Sequence, residues 1–282
     1  TNSRKDLAQA DVILVVGANL TESDPVFALD VIKAIRAGRT VIVIDPRTTE
    51  LAGRAKYHLA VKPGTALAAL RGLLKHILDL GLEDEDFIAS RTEGFAAFEQ
   101  SLAGVDVVAE AATCGVSADL LRAAGEAFGQ AAAAAVIFAQ EATRGDLGGA
   151  RIAAIADLVL LTGNVGRPGT GVYPLLGGAN SQGLADMGVR PDRLPGGAAP
   201  ADSSGVGLAG ITSAIESGEI DALSVVGADP ALALADERRV RKALEKVGFL
   251  VVQDSFLSDT AQYADVVLPA AVAGEDEGTF TN

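Results

Sequence analysis

Two glycine turns, each followed by an amide or a carboxylate, carry the chemistry this chain offers. One apolar run ends in Gly17-Ala18-Asn19 and another in Gly227-Ala228-Asp229. A second apolar run follows each turn, ending in Asp45-Pro46-Arg47 and in Gln253-Asp254. A third run leads from His58-Leu59-Ala60-Val61 to Pro63-Gly64-Thr65 in the first copy, and from Asp265 through Val266-Val267-Leu268 to Pro269 in the second. Gly227, Asp254 and Pro269 lie 210, 209 and 206 residues after Gly17, Asp45 and Pro63. Glycine lets the backbone approach a phosphate or a ring, and amides at the start of the next helix favour an anion. An acid at the end of the second strand is placed to hydrogen-bond a ribose or a base edge. A single copy reads more simply as a turn glycine with a helix cap. Two copies at matching offsets point to a duplicated nucleotide-binding unit, with two related sites or one long ligand held between two halves. No G-x-G-x-x-G is present, which argues against ordinary NAD binding.

Two glycine-rich stretches add candidates. Asn164-Val165-Gly166-Arg167-Pro168-Gly169-Thr170-Gly171 carries one cation, Arg167, that could face phosphates; a plain loop is an equal reading. Gly177-Gly178-Ala179-Asn180-Ser181-Gln182-Gly183 offers the amides of Asn180 and Gln182 to a purine or pterin edge, again with a plain loop as the rival. His58 falls on a strand and His76 on a helix, so they are read as packed or surface residues rather than a metal pair. Cys114 has no nearby His and is assigned no chemistry. Glu275, Asp276 and Glu277 read as a solvated acidic cluster. No Ser-His-Asp or paired-carboxylate constellation stands out, so no catalytic or metal-ligating residue is assigned.

The elements that position these residues are those of an α/β protein. Residues 12–16 and 41–44 are continuous β-branched runs, as expected for strands buried on both faces. Val26 to Ala37 has helical spacing and Gly38 stands at its C-cap, completing a β-α-β unit. Further helices are expected over 64–80, 119–131 (Ser117 as N-cap) and 150–161, with a strand over 135–139. From Asn164 to Gly210 glycine and proline are dense and periodicity is lost. Strands over 223–226 and 249–252 flanking a helix over 235–246 start the second copy. We place the boundary near residue 178, giving a first α/β domain over 1–178 and a second, incomplete, over 179–282.

Composition narrows the classes. At 282 residues, nearly half of them apolar, the chain can bury one large or two medium cores. No apolar run reaches membrane-spanning length, which excludes direct membrane insertion. The single cysteine excludes an internal disulfide and any multi-cysteine zinc or iron–sulfur site. A net charge of −14 argues against nucleic acid. The chain starts at Thr1 and its last residues follow a strand-like segment without a closing helix, so an excised piece of a longer polypeptide is expected.

Taken together, these segments resemble the molybdopterin oxidoreductase family. The resemblance runs in one order along nearly the whole chain. It is carried by Gly17-Ala18-Asn19 with Pro25, Val43-Ile44-Asp45-Pro46-Arg47, Lys62-Pro63-Gly64-Thr65, the stretches from Phe87 to Phe95 and from Leu161 to Gly169, and Asn180-Ser181-Gln182-Gly183 with Asp186-Met187-Gly188. Gly227-Ala228-Asp229-Pro230, Ala264 to Pro269, and Glu277-Gly278-Thr279-Phe280-Thr281-Asn282 complete it. It implies two pseudo-symmetric Rossmann-like domains with mainly parallel sheets, as in domains II and III of formate dehydrogenase and DMSO reductase. In cofactor-bearing relatives these grip the two arms of a bis-pyranopterin guanine dinucleotide. Asn19, Asp45, Arg47, Gly64 and Thr65 would line one arm, and Gly227, Asp229, Asp254 and Asp265 the other.

Two departures from the family pattern bear on function. Ala66 stands where an acid or amide often follows the Pro-Gly-Thr step. Leu176, Gly178 and Ala179 replace an arginine and two amides. Losing a cation and two donors from a polyanion's site would cost several kcal/mol, roughly 1–3 each. On these residues the resemblance is closest to the large iron–sulfur subunit of NADH-quinone oxidoreductase, respiratory complex I. There the domain would act as a scaffold for electron transport, with no cofactor certain in this fragment and molybdopterin guanine dinucleotide still an open option. Iron–sulfur clusters would sit in other parts of the parent. The partners would be those parts and other respiratory-complex subunits, and the location cytoplasmic, peripheral to the membrane. The alternative is the core of a molybdenum-dependent formate dehydrogenase; a thiamin- or nucleotide-binding enzyme rests on the repeat alone. The fragment by itself is expected to turn over neither formate nor NADH.

Overall fold

The computed structural model describes residues 3–143, 145, 147–175, 177–200, 205–272 and 274–281. The discriminating Leu176, and Asn282 of the last motif, lie outside them. The chain separates into two compact units, Thr1–Gly177 and Gly178–Asn282.

The first unit is built on a five-stranded parallel sheet. Its strands are β1 (Val12–Val16), β2 (Thr40–Ile44), β3 (Tyr57–Leu59), β4 (Ala134–Ala139) and β5 (Gly171–Leu175), in the order β3-β2-β1-β4-β5. Strand side chains alternate between faces, so each β-branched run feeds two cores. Val12, Leu14, Val16, Ile42, Ile44 and Leu59 pack with helices Ala66–Asp79, Ala118–Gly129 and Gly148–Leu161. Ile13, Val15, Val41 and Val43 pack with Ala28, Val31 and Ala34 of helix Pro25–Arg36. That helix begins with proline at its first turn and ends at Gly38, whose φ of 82° suits glycine. The chain leaves β1 towards β2 on one side, while β4 flanks β1 on the other. The strand order thus reverses between β1 and β4, and in such sheets ligands sit beyond the carboxyl ends of the strands at that point.

The second unit repeats the first three strands. β6 (Ala222–Val226), β7 (Phe249–Asp254) and β8 (Val266–Pro269) are parallel in the order β6-β7-β8, with helix Glu237–Leu244 between β6 and β7. Backbone bonds match pair for pair. Gly17 donates to Ile44 at 2.9 Å, as Gly227 does to Gln253. Thr40 donates to Asp11 as Phe249 does to Asp221, each at 3.0 Å. Lys56 donates to Val41 at 3.0 Å as Asp265 does to Leu250 at 2.9 Å. The duplication read from sequence is real at the level of the backbone, with one adjustment. Leu59 faces Ile44 and Leu268 faces Gln253, so Pro269 stands level with Ala60 rather than with Pro63.

The stretch expected to lack regular structure contains more than loop. It supplies edge strand β5, hidden in the sequence by Gly171 and Pro174, which an edge position tolerates. It also supplies helix Ser181–Asp186, and helix Leu208–Ser217 begins before it ends. Among the described residues no helix is long and apolar enough to cross a membrane.

Candidate functional site

In the first unit, the carboxyl ends of β1, β2 and β3 bring Gly17, Asn19, Asp45 and Arg47 to one edge. Gly17 takes φ 54°, a left-handed turn that aims the following loop over the sheet edge, and its N–H bond to Ile44 fixes it beside Asp45. Asn19 opens a one-turn helix through its carbonyl, which accepts from the Glu22 and Ser23 amides, while its Oδ1 accepts from the Thr21 hydroxyl at 3.3 Å. Asp45 is buried, its carboxylate receiving the Arg47 amide at 2.8 Å and the Arg47 guanidinium at 3.2 and 3.4 Å. The Arg47 side chain as a whole is more than half exposed. His58 reaches from β3 to within 3.0 Å of the Asp45 carbonyl through Nε2, so it helps hold this loop; its place on a strand concealed that.

Gly64 and Thr65 stand where β3 hands over to helix Ala66–Asp79. Gly64 has φ 85° with open space in the direction a Cβ would take. The Thr65 hydroxyl donates to the Lys62 carbonyl at 2.7 Å, which folds the turn. Lys62, exposed, is a cation at this edge that sequence reading passed over; its amide donates to Cys114 and its stem lies against Gly115. The first amides of a helix have no intrahelical acceptor, so the turn presents backbone donors beside a cation. Glycine turns, donors at a helix start, Lys62 and the paired Asp45–Arg47 form a donor set that fits a nucleotide: cations and amides for phosphate, a buried carboxylate for a ribose or base.

The second unit uses the same positions differently. Gly227 keeps the turn, at φ 59° and with open space before it. Asp229 is turned inward. Its carboxylate accepts the Thr260 hydroxyl at 2.6 Å and the Asp259 and Thr260 amides at 3.1 Å. Asp254 ends β7 and its Oδ1 accepts the Ser255 amide at 2.7 Å and the Phe256 amide at 3.4 Å, closing a turn. The Asn180 Oδ1 accepts the Thr281 amide at 2.8 Å, and the Gly183 amide donates to the Thr281 carbonyl. Two motif segments a hundred residues apart in sequence are thereby tied together. Gln182 donates to Asp186 at 2.7 Å.

Two candidates stand at the wrong end of their sheets. The Arg167 guanidinium donates to the carbonyls of Ala132 and Gly163 at 3.2 and 3.1 Å. Ala132 precedes β4, so Arg167 clamps the loop at the amino ends of the strands, away from Gly17. Asp265 precedes β8, and its carboxylate accepts the Leu250 amide at 2.8 Å. Each residue adjoins a strand, but on the side opposite to the ligand edge. Arg167→Ala is expected to lower the stability of the first unit by about 1–3 kcal/mol, since two backbone acceptors lose a charged donor. Melting curves of the variant and the parent chain check this.

The model of the family described as molybdopterin oxidoreductase matches residues 1–282. Among curated relatives, the F420-dependent formate dehydrogenase 2 subunit alpha of Methanococcus maripaludis is 39% identical over 297 residues, covering all of this chain and 44% of the relative. Formate dehydrogenase H of Escherichia coli is 34% identical over 299 residues, covering all of this chain and 42% of the relative. The chain thus spans less than half the length of these relatives. Among solved structures, acetylene hydratase from Pelobacter acetylenicus superposes with a TM-score of 0.75 over 92% of this chain and 41% of that one, at 21% identity. That last likeness speaks for the fold.

Proposed function

The chain belongs to the molybdopterin oxidoreductase family, and we propose that it forms the cofactor-holding core of a formate dehydrogenase-type alpha subunit. The observation that carries this reading is identity of 34–39% along the full chain to relatives named formate dehydrogenase. It outweighs the departures at Leu176, Gly178 and Ala179, on which the NADH-quinone oxidoreductase scaffold reading rested; neither respiratory complex I nor an NADH-quinone partner is favoured by these relatives. The donor set at the first unit's strand ends supports the same reading.

In this proposal Gly17, Asn19, Gly64, Thr65 and Lys62 approach phosphates of a molybdopterin guanine dinucleotide, and Asp45 with Arg47 addresses its guanosine end. When bound, the cofactor supplies a metal dithiolene centre for two-electron chemistry on formate. This chain's residues orient and anchor it. Gly227 and Asp254 serve the second arm. Asp229 acts one step away, by holding the Asp259–Thr260 loop. The metal ligand and the iron–sulfur clusters belong to other parts of the longer protein.

Metal and nucleotide analysis of the full-length protein tests this. Molybdenum or tungsten together with released guanine nucleotide is expected, along with formate oxidation to an artificial electron acceptor. Protein free of both metal and guanine nucleotide sinks the proposal and returns the scaffold reading. Within the full-length protein, Arg47→Ala is expected to lower retained guanine nucleotide roughly tenfold, the value of one charge-assisted contact of about 1.4 kcal/mol. Unchanged retention would remove Arg47 from the site.

A further inference from the structure

The stretch from Phe87 to Phe95 takes no part in the edge formed by Gly17, Asp45 and Arg47. It walls a hollow of about 60 Å³ in the first unit, together with the ends of helices Phe95–Leu102 and Gly148–Leu161. Asp84 fastens the walls: its amide donates to the Leu161 carbonyl and its carboxylate accepts the Phe87 amide, each at 2.9 Å. Gly94, at φ 80°, turns the chain from helix Glu85–Arg91 into helix Phe95–Leu102. Phe95 and Phe98 follow, with ring centroids 6.3 Å apart. Leu160 and Leu161 end their helix beside the loop whose Asn164 bonds the start of β4, so the hollow lies on the side away from Gly17.

Ile88, Leu160, Leu161 and the two rings make this hollow mostly apolar, yet Asp157 lines it as well, and so does exposed Glu93. Asp157 is half-buried, and among the described residues its carboxylate has no hydrogen bond and no ion pair. Burial pushes its pKa above the ordinary carboxylate value, with no neighbouring charge to offset it. A neutral apolar occupant would deepen that desolvation, and an anion would add repulsion. A metal ion requires several oxygen donors, and no group of three or more metal-ligating side chains exists among the described residues. An organic cation satisfies each wall. Its charge meets Asp157, the ring faces attract it, and its methylene stem covers Ile88 and Leu160.

We propose that this hollow receives the ammonium end of a lysine carried by a basic partner polypeptide. Its volume is only roughly twice the share of one liquid water molecule, about 30 Å³, which admits the tip of a single side chain and no nucleotide. A compact ammonium suits that space better than a planar guanidinium. Charge selects a polypeptide over a free amine. The two helices and the turn between them expose Glu85, Asp86, Glu93 and Glu99 against the one cation Arg91, a field that draws a basic segment as a whole.

Titration of the full-length protein tests this independently of any cofactor, with n-butylammonium followed by ligand-observed NMR and blocked tetralysine by calorimetry. The amine should bind in the millimolar range, as roughly five heavy atoms allow, and tetralysine at least about tenfold more tightly through the surrounding acids. Asp157→Asn should weaken both probes roughly tenfold, the loss of one charge-assisted contact. It removes a charge that no group in the chain pairs, so the variant should melt no lower than wild type. Leu160→Phe, which fills the hollow from its exposed rim, should weaken both probes to a similar degree. Glu99→Gln, an equal change of charge outside the hollow, should alter the amine's affinity by less than about twofold. Undiminished affinity in either of the first two variants, or no binding by wild type, overturns the proposal. Tetralysine binding no tighter than the amine overturns the polypeptide as occupant and leaves a free amine in its place.

Discussion

Replacing Asp229 by alanine is expected to destabilise the second unit by about 3 kcal/mol. The carboxylate gathers one hydroxyl and two amide donors, from Thr260 and Asp259, across thirty residues of sequence. Hydrogen bonds to a charged acceptor contribute about 1.5–3 kcal/mol each, and their donors here would be only partly rehydrated. Asp229→Asn retains one acceptor oxygen and should fall about midway. Burial is the largest single influence on this carboxyl and pushes its pKa up; the Thr260 hydroxyl and the surrounding amides outweigh it and hold the pKa below the ordinary value. The sign follows. A depressed folded pKa means the contribution is full above the unfolded value of about 3.9 and disappears as pH falls through the folded one. Acid should therefore weaken wild type over that range, while Asp229→Ala shows less of the loss. Hydrogen exchange of residues 249–264 measures this locally, which matters in a chain of two units where a single melting point is ambiguous. An Asp229→Ala protein with unaltered exchange there would show that the triple contact contributes nothing.

Asp229 also illustrates what the sequence could convey. The repeat was legible because its signal is chemical and local: β-branched runs, glycine turns and an acid two strands apart recur in order. Chain pairing, by contrast, is not local. Asp229 and Asn19 hold matching positions after matching turns. Yet only Asp229 faces a threonine loop, and nothing within the turn itself announces Thr260. Arg167 misled for a related reason. A cation among glycines has the composition of a phosphate loop, but composition does not tell which end of a sheet the loop caps. Asp265 is the same error in smaller form, since an acid before a strand lies at the opposite end from one after it. β5 escaped because Gly171 and Pro174 weaken the strand pattern where an edge position tolerates them.

The loop that Arg167 closes contains a residue whose loss should matter as much as that of Asp229. Asn164 is 0% exposed. Its Oδ1 accepts the amide of Ala134, the first residue of β4, at 2.8 Å, and its Nδ2 donates to the Thr162 carbonyl and hydroxyl at 3.2 and 2.8 Å. Its own amide closes the end of helix Gly148–Leu161 on the Val159 carbonyl. One side chain thus joins the start of β4, next to the sheet's edge strand, to the helix that covers it. Asn164→Ala leaves a strand amide buried without a partner, at about 1–3 kcal/mol, and opens a small cavity besides, so a total near 3 kcal/mol is expected. Asn164→Asp keeps the acceptor but sets a carboxylate against two oxygens of Thr162, and should be no better at neutral pH. Because Cys114 is buried in the same unit, the rate at which its thiol becomes reactive in urea reports unfolding there specifically. A shift of the alanine variant's midpoint equivalent to less than ~1 kcal/mol would mean that water substitutes for the amide. The asparagine of this glycine-rich motif would then owe its place to something other than the fold.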